Sequence, residues 1–170
     1  MDLTKYIRDI PDFPKPGILF KDITPLLAEP AAFQHAIDSF AERYRSEPID
    51  VVAAAEARGF LFAAPLALQL RKPFVPLRKP GKLPHTTHWF AYELEYGTAE
   101  LHVHIDAVKP GARVLLIDDL LATGGTMHAG CQLIEKSGGH VHECAFLVEL
   151  TFLNGRERLK PYDVFSMIRY

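Results

Sequence analysis

Apolar residues follow two rhythms along this chain. Short runs rich in aliphatic residues at Ile49 to Ala54, Phe74 to Lys79 and Val114 to Ile117 read as strands. The last, continuous and apolar, reads as a strand buried on both faces, as in a parallel sheet. Between them the spacing turns helical. Ala31 to Tyr44 sets Phe33, Ile37, Phe40, Ala41 and Tyr44 on one stripe, with Pro30 placed near the helix start. A second helix is predicted from Arg58 to about Leu70. A third runs from Thr126 through Met127, Cys131, Leu133, Ile134 and Lys136 until Gly138-Gly139 stops it. Val141 to Thr151 and Asp163 to Ile168 are predicted as the last strands. The turn Asn154-Gly155 and a short helix from Arg156 to Leu159 separate them. Alternating strands and helices predict an α/β fold. The sheet is doubly wound and mostly parallel, with helices on both faces, and the site lies beyond the carboxyl edge of the strands.

Two stretches stand outside that plan. Asp2 to Ile10 is predicted as a short helix, with Leu3, Tyr6, Ile7 and Ile10 on one side. Prolines in Pro11 to Gly17 then forbid regular structure. The apolar segment Ile18 to Leu27 follows, and it fits either a tie between terminus and core or a cap over a flat aromatic ligand. Farther on, His85 to Ala91 is polar and irregular apart from Trp89 and Phe90. Tyr92 to Tyr96 and Glu100 to Ile105 alternate about Gly97-Thr98 as a β-hairpin. An arm with a basic base suits a lid over a charged substrate as well as a plain surface excursion.

A chain of 170 residues with 48% hydrophobic and 24% charged positions supports one globular domain. We expect a soluble intracellular protein, because no apolar run reaches bilayer length and Met1 to Lys5 lacks the apolar core of a signal peptide. A formal net charge of −2 argues against general nucleic-acid binding. Cys131 and Cys144 show neither disulfide-scaffold nor zinc spacing, so reduced, buried thiols are expected. His102 and His104 alternate on one strand face without a fixed acidic or cysteine companion. They read as an exposed strand edge rather than a metal site.

The chemistry concentrates in Asp118-Asp119-Leu120-Leu121-Ala122-Thr123-Gly124-Gly125-Thr126. Two adjacent acids end a buried strand, and a small-residue turn leads into a helix. Free amides at a helix start, with the Thr123 and Thr126 hydroxyls, favour a phosphate. Gly124 and Gly125 let the backbone approach that anion. Asp118 and Asp119 suit neutral hydroxyl donors such as those of ribose, or a divalent cation. The stretch is neither a Walker loop nor a dinucleotide fingerprint, since Gly-Lys-Ser/Thr and Gly-x-Gly-x-x-Gly are absent. Arg58 opens an earlier helix, where a guanidinium can fork onto phosphate oxygens or simply be solvated.

Four separate motifs resemble the type I phosphoribosyltransferase family, and within it the adenine phosphoribosyltransferases, in the expected order over essentially the whole chain. Asp118 to Thr126 resembles the phosphoribosyl-pyrophosphate (PRPP) motif. The resemblance implies that Asp118 and Asp119 hold the ribose hydroxyls while Ala122, Thr123, Gly124, Gly125 and Thr126 wrap the 5′-phosphate. Phe13 to Ile23 resembles the family's N-terminal hood. That match implies adenine stacking on Phe20, with backbone groups of Leu19 and Lys21 at the base edge; Leu150 could touch the base as well. Glu56-Ala57-Arg58-Gly59-Phe60 resembles the pyrophosphate loop, often built on a non-proline cis peptide, expected here around Glu56-Ala57. Ala54 and Ala63 stand where relatives often have glycine. Arg78 to Pro84 and Leu94 to Gly97 resemble the mobile catalytic loop.

By this match Ala57, Arg58, Arg78, Lys79 and Lys82 meet pyrophosphate, Glu95 is the acid at the purine and Tyr96 lines the closed lid. Glu95, Arg58 and Lys82 carry the catalysis. The implied organisation is one domain over residues 1–170, with a hood of roughly 1–30 and a core of 31–170. The implied reaction is adenine plus PRPP giving AMP and pyrophosphate, a purine-salvage step. Mg²⁺ would be held mainly by PRPP, with Asp118 and Asp119 nearby. A cytoplasmic homodimer, without nucleic-acid or membrane partner, is implied too. Two alternatives are the same transfer to a 6-oxopurine and a non-catalytic PRPP sensor. The first wants a lysine side chain reading the ring oxygen and a different hood. The second wants a basic face or an appended helix-turn-helix.

Overall fold

The computed structural model describes residues 1–93 and 97–170, in two compact units covering 1–43 and 44–170. In the first unit a single 3₁₀ turn, Leu3–Tyr6, is capped by Asp2, whose carboxylate accepts from the Thr4 amide at 3.1 Å. Strand β1 (Arg8–Ile10) follows and pairs antiparallel with β2 (Phe20–Asp22), Ile10 lying opposite Phe20. The nine-residue helix expected over Asp2 to Ile10 is therefore not formed. An isolated helix of that length is marginal, whereas the hairpin gives the backbone groups of β1 partners on β2. Between the strands the proline-rich loop is closed by Gly17 N donating to Asp12 Oδ1 at 2.8 Å. Helices α1 (Thr24–Ala28) and α2 (Pro30–Tyr44) complete the segment. Pro25 sits in the first turn of α1 and Asp22 accepts from the Thr24 amide at 2.9 Å.

The second unit is built on β3 (Val51–Ala55), α3 (Gly59–Leu70), β4 (Phe74–Leu77), β5 (Thr87–Glu93), β6 (Thr98–His104), β7 (Arg113–Leu121), α4 (Gly125–Lys136), β8 (His140–Glu149), α5 (Gly155–Arg158) and β9 (Val164–Arg169). Among the described residues, five strands form one sheet in the order β4-β3-β7-β8-β9, every neighbouring pair parallel. With α3 and α4 packed against it, this is the doubly wound α/β arrangement that the apolar blocks predict. Val52, Ala53, Leu115, Ile117, Ala145 and Phe146 are fully buried, which explains why these strands read as continuous apolar runs.

Further sequence expectations need correction. The two acids do not end the central strand: β7 continues to Leu121, with Leu120 opposite Val148 and Leu121 opposite Glu149. The partner strand β8 is long enough to pair past the acids, so hydrogen bonding outlasts the apolar run. The segment from His85 is not irregular to Ala91 either. Strand β5 starts at Thr87 and pairs with β6 along its whole length, Thr87 opposite His104 and Glu93 opposite Thr98. Its polar face hid the strand, because Lys136 of α4 covers Trp89, donating to its carbonyl at 2.9 Å with the ammonium 5.0 Å from the ring centroid. On β6, His102 is half-buried rather than an open edge, and its ring bonds Glu100 at 2.9 Å and Thr87 at 3.0 Å. Cys131 and Cys144 are free, fully buried and 3.4 Å apart at sulfur.

Candidate active site

The adjacent strands β3 and β7 carry the two halves of the site. At the end of β3 the Glu56-Ala57 peptide is cis, as expected, and Arg58 directly precedes α3. Gly59 allows α3 to start against β7. A Cβ there would lie 2.9 Å from Asp118 Oδ1 and 3.1 Å from the Ile117 carbonyl, closer than packed atoms tolerate. Arg58 reaches across and its Nε donates to Asp119 Oδ2 at 2.5 Å. Asp119 is 5% exposed, and the guanidinium compensates a carboxylate that burial alone would penalise. Asp118 accepts the Asp119 amide at 2.9 Å. Burial, followed by the negative charge of Asp119, pushes the Asp118 carboxyl well above the ordinary aspartate range.

Beyond Leu121 the chain turns through Ala122 and Thr123 to Gly124, whose φ of +83° favours glycine. Helix α4 begins there with no side-chain cap and no acidic residue in its first turn. Its leading amides thus have no partner within the helix. An open cavity of about 610 Å³ meets this end, lined by Arg58, Asp118, Asp119 and every residue from Leu120 to Met127. An uncapped helix start beside two acids offers donors for an anion and acceptors for hydroxyls within one cavity. Asp118 and Asp119 are also hard oxygen donors. Among the described residues no group of three or more His, Cys, Asp or Glu side chains could hold a metal by itself. The pair therefore fits a Mg²⁺ that brings most of its ligands with the substrate.

The other expected site residues are placed less closely together. Glu56 Oε1 accepts from the Lys79 amide at 2.7 Å and from Arg78 Nε at 3.3 Å. The Lys79 bond and then the Arg78 charge hold Glu56 below its ordinary value against the opposing effect of burial. Arg78 and Lys79 thereby sit beside the Glu56-Ala57 bend, and Arg78 Nη1 approaches the Lys82 carbonyl at 3.4 Å. Ala57, Arg78, Lys79 and the exposed Lys82 are not among the residues lining the cavity. Leu150 follows β8 directly, buried, with its amide on the Leu121 carbonyl at 2.9 Å. Leu19, Phe20 and Lys21 belong to the first unit. There Phe20 meets Phe13 edge to face at 5.1 Å, and Lys21 bonds Asp9 at 2.6 Å. Glu95 and Tyr96 lie outside the described residues.

Tyr92, Glu93, Phe146 and Arg158 line the cavity although sequence reasoning passed over them. Tyr92 and Glu93 close β5, and their signal was the alternation of the hairpin. Phe146 lies opposite Asp118 across the β7–β8 ladder, so register alone brings it in. Arg158 had no sequence signal beyond its place after the Asn154-Gly155 turn.

A parallel sheet whose central strand delivers paired acids and an uncapped helix start to one cavity has the chemistry to accept a phosphorylated sugar. Residues 22–169 match the family described as the phosphoribosyl transferase domain. A curated adenine phosphoribosyltransferase from Chloroflexus aurantiacus is 59% identical over 99% of this chain and 98% of its own length. A crystal structure of adenine phosphoribosyltransferase from Thermoanaerobacter pseudethanolicus superposes with a TM-score of 0.96 at 54% identity, covering 99% of this chain and 98% of that one. The Saccharomyces cerevisiae adenine phosphoribosyltransferase, crystallised with an imino-altritol bisphosphate and adenine, gives 0.93 at 39% identity, with 98% and 96% covered. The chain belongs to the adenine phosphoribosyltransferase family.

Proposed function

We propose that this chain transfers the 5-phosphoribosyl group from PRPP to adenine, giving AMP and pyrophosphate in purine salvage. The observation that carries this reading is the cavity in which Asp118 and Asp119 stand beside the uncapped start of α4. Full-length similarity to adenine phosphoribosyltransferases supports adenine as the acceptor. During transfer, C1 of the ribose loses pyrophosphate as the base nitrogen arrives from the opposite face. Positive charge grows on the sugar and negative charge on the leaving group. Asp118 and Asp119 orient the ribose hydroxyls, and Ala122 to Thr126 anchor the 5′-phosphate, which makes the attack effectively intramolecular. Arg58, Ala57, Arg78, Lys79 and Lys82 receive the pyrophosphate, the cations stabilising its developing charge.

On the base side, adenine stacks on Phe20, its edge read by backbone groups of Leu19 and Lys21, and Leu150 touches the base. Glu95 exchanges a proton with N7 as N9 bonds to carbon, and Tyr96 lines the closed lid, which excludes water that would hydrolyse the donor. Residues 1–170 act as one catalytic domain, with residues 1–30 as its hood. Asp118 and Asp119 would stand near a Mg²⁺ held mainly by PRPP, which would supply positive charge to the leaving pyrophosphate. The enzyme works as a cytoplasmic homodimer. Leu68 and Leu61, exposed on α3 at 81% and 41%, support a partner-covered face.

Turnover with PRPP and adenine, hypoxanthine or guanine tests the assignment. A site that hydrogen-bonds the edge of adenine should favour it in kcat/KM by at least about a hundredfold. Equal or faster turnover of a 6-oxopurine would transfer the chain to the other substrate class. Failure to release pyrophosphate with any base would make it a sensor.

A further inference from the structure

Arg158, the last residue of α5, lines the cavity beside Gly124, Gly125 and Thr126. Its guanidinium lies along the first turn of α4: a Cβ at Gly125 would sit 3.4 Å from Nη1 and 3.5 Å from Cζ. This is a poor place for a cation without a counter-charge, because the start of a helix already carries partial positive charge. Helix α4 supplies neither an acidic residue in that turn nor a capping side chain. Glu93 lines the same cavity but is not paired with Arg158 among the described residues, and the carboxylates of α5 and of the end of β8 are engaged elsewhere. Glu157 pairs with Lys160 at 2.7 Å, and Glu149 takes two bonds at 2.7 Å from Arg156. Among the described residues Arg158 has no ion pair or side-chain hydrogen bond.

Its position is nevertheless well fixed. Gly155 leaves no room for a Cβ, which would strike the Ala122 carbonyl and lie 2.8 Å from Leu121 Cδ1. A Cβ on Gly124 would in turn come within 2.8 Å of the Gly155 carbonyl. Bare backbone on both sides thus lets α5 abut the Ala122–Gly125 turn. Arg156 holds α5 from behind through Glu149 and the Val164 carbonyl, the latter at 2.8 Å. A seated helix, a free guanidinium and an uncapped helix start converge on one volume.

We infer that Arg158 is a ligand of the donor's 5′-phosphate, supplying from α5 the cationic wall of a pocket whose other wall is the start of α4. The inference rests on the phosphoribosyl-transfer reading and adds to it the residue that distinguishes a phosphomonoester dianion from an unphosphorylated sugar. Arg58, which precedes α3, bonds Asp119.

Calorimetric titration of wild-type protein, R158Q and R158K with ribose 5-phosphate and, separately, with pyrophosphate is the test, alongside steady-state kinetics. A charge-assisted contact predicts that R158Q weakens ribose 5-phosphate and raises the KM for PRPP about ten- to a hundredfold. Pyrophosphate affinity, adenine KM and melting temperature stay at wild-type values, and R158K recovers much of the loss. Wild-type ribose 5-phosphate affinity in R158Q, or equal losses for ribose 5-phosphate and pyrophosphate, would overturn the assignment to Arg158 while leaving phosphoribosyl transfer intact. Wild-type protein that neither binds ribose 5-phosphate nor forms AMP would overturn both.

Discussion

Arg58 Nε donates to Asp119 Oδ2 at 2.5 Å, joining the residue that precedes α3 to the acid in β7. One guanidinium therefore balances a buried acid and lines the cavity in which, on the proposed function, the leaving group is received. Arg58 is half exposed and lines the cavity.

Lysine at position 58 preserves the charge but loses the planar fork. R58K should lower kcat/KM for PRPP by at least about tenfold, or 1.4 kcal/mol, with the adenine KM little changed. Steady-state kinetics with each substrate varied decide this. Unchanged PRPP kinetics would restrict Arg58 to partnering Asp119.

Gly59 touches Asp118 so closely that G59A must move either α3 or the acid. Overpacking of this kind costs about 1–3 kcal/mol, and a displaced Asp118 should also raise the KM for PRPP. Thermal unfolding and initial rates read the two effects separately. Wild-type values for both would show that the strand and helix have room to spare.

The raised Asp118 carboxyl makes a pH prediction. The folded protein holds this proton more tightly than the unfolded chain, whose aspartates titrate near about 3.9. Its contribution to stability is therefore complete below that range and is lost as pH rises toward the folded value. D118N keeps an oxygen for the Asp119 amide and removes the titration. The variant should gain melting temperature over wild type as pH rises above about 4, while losing PRPP affinity. Parallel melting curves for the two proteins across that range would contradict the assignment.

Glu149 is 3% exposed and held by Arg156, with Arg169 at 3.4 Å. R156A strands that carboxylate. A wholly buried pair costs about 3–5 kcal/mol to break, and because Arg156 is about a third exposed we expect about 2–3 kcal/mol. Loosening α5 should also weaken ribose 5-phosphate binding, measurable in the same preparation. A loss below about 1 kcal/mol in denaturant titration would place this pair with ordinary surface ion pairs.

Much of this was legible in the chain. Val114 to Ile117 read as a strand buried on both faces, and Thr123-Gly124-Gly125-Thr126 announced a turn and a helix start. Sequence reasoning failed where partners distant in sequence decide local structure. Arg8 to Ile10 joined a hairpin because Phe20 to Asp22 paired with it. His88 and Trp89 entered a strand because β6 and Lys136 received them. Leu120 and Leu121 stayed in β7 because β8 continued alongside. Arg158 was invisible for the same reason, since its significance comes from two glycine contacts between segments some thirty residues apart.

A crystal structure of the protein with PRPP and Mg²⁺ tests the central claim most directly. We predict the ribose 2′- and 3′-hydroxyls on Asp118 and Asp119, and the 5′-phosphate on the amides leading α4. A ribose bound away from both acids, or a 5′-phosphate away from the Ala122–Thr126 turn, would contradict the account.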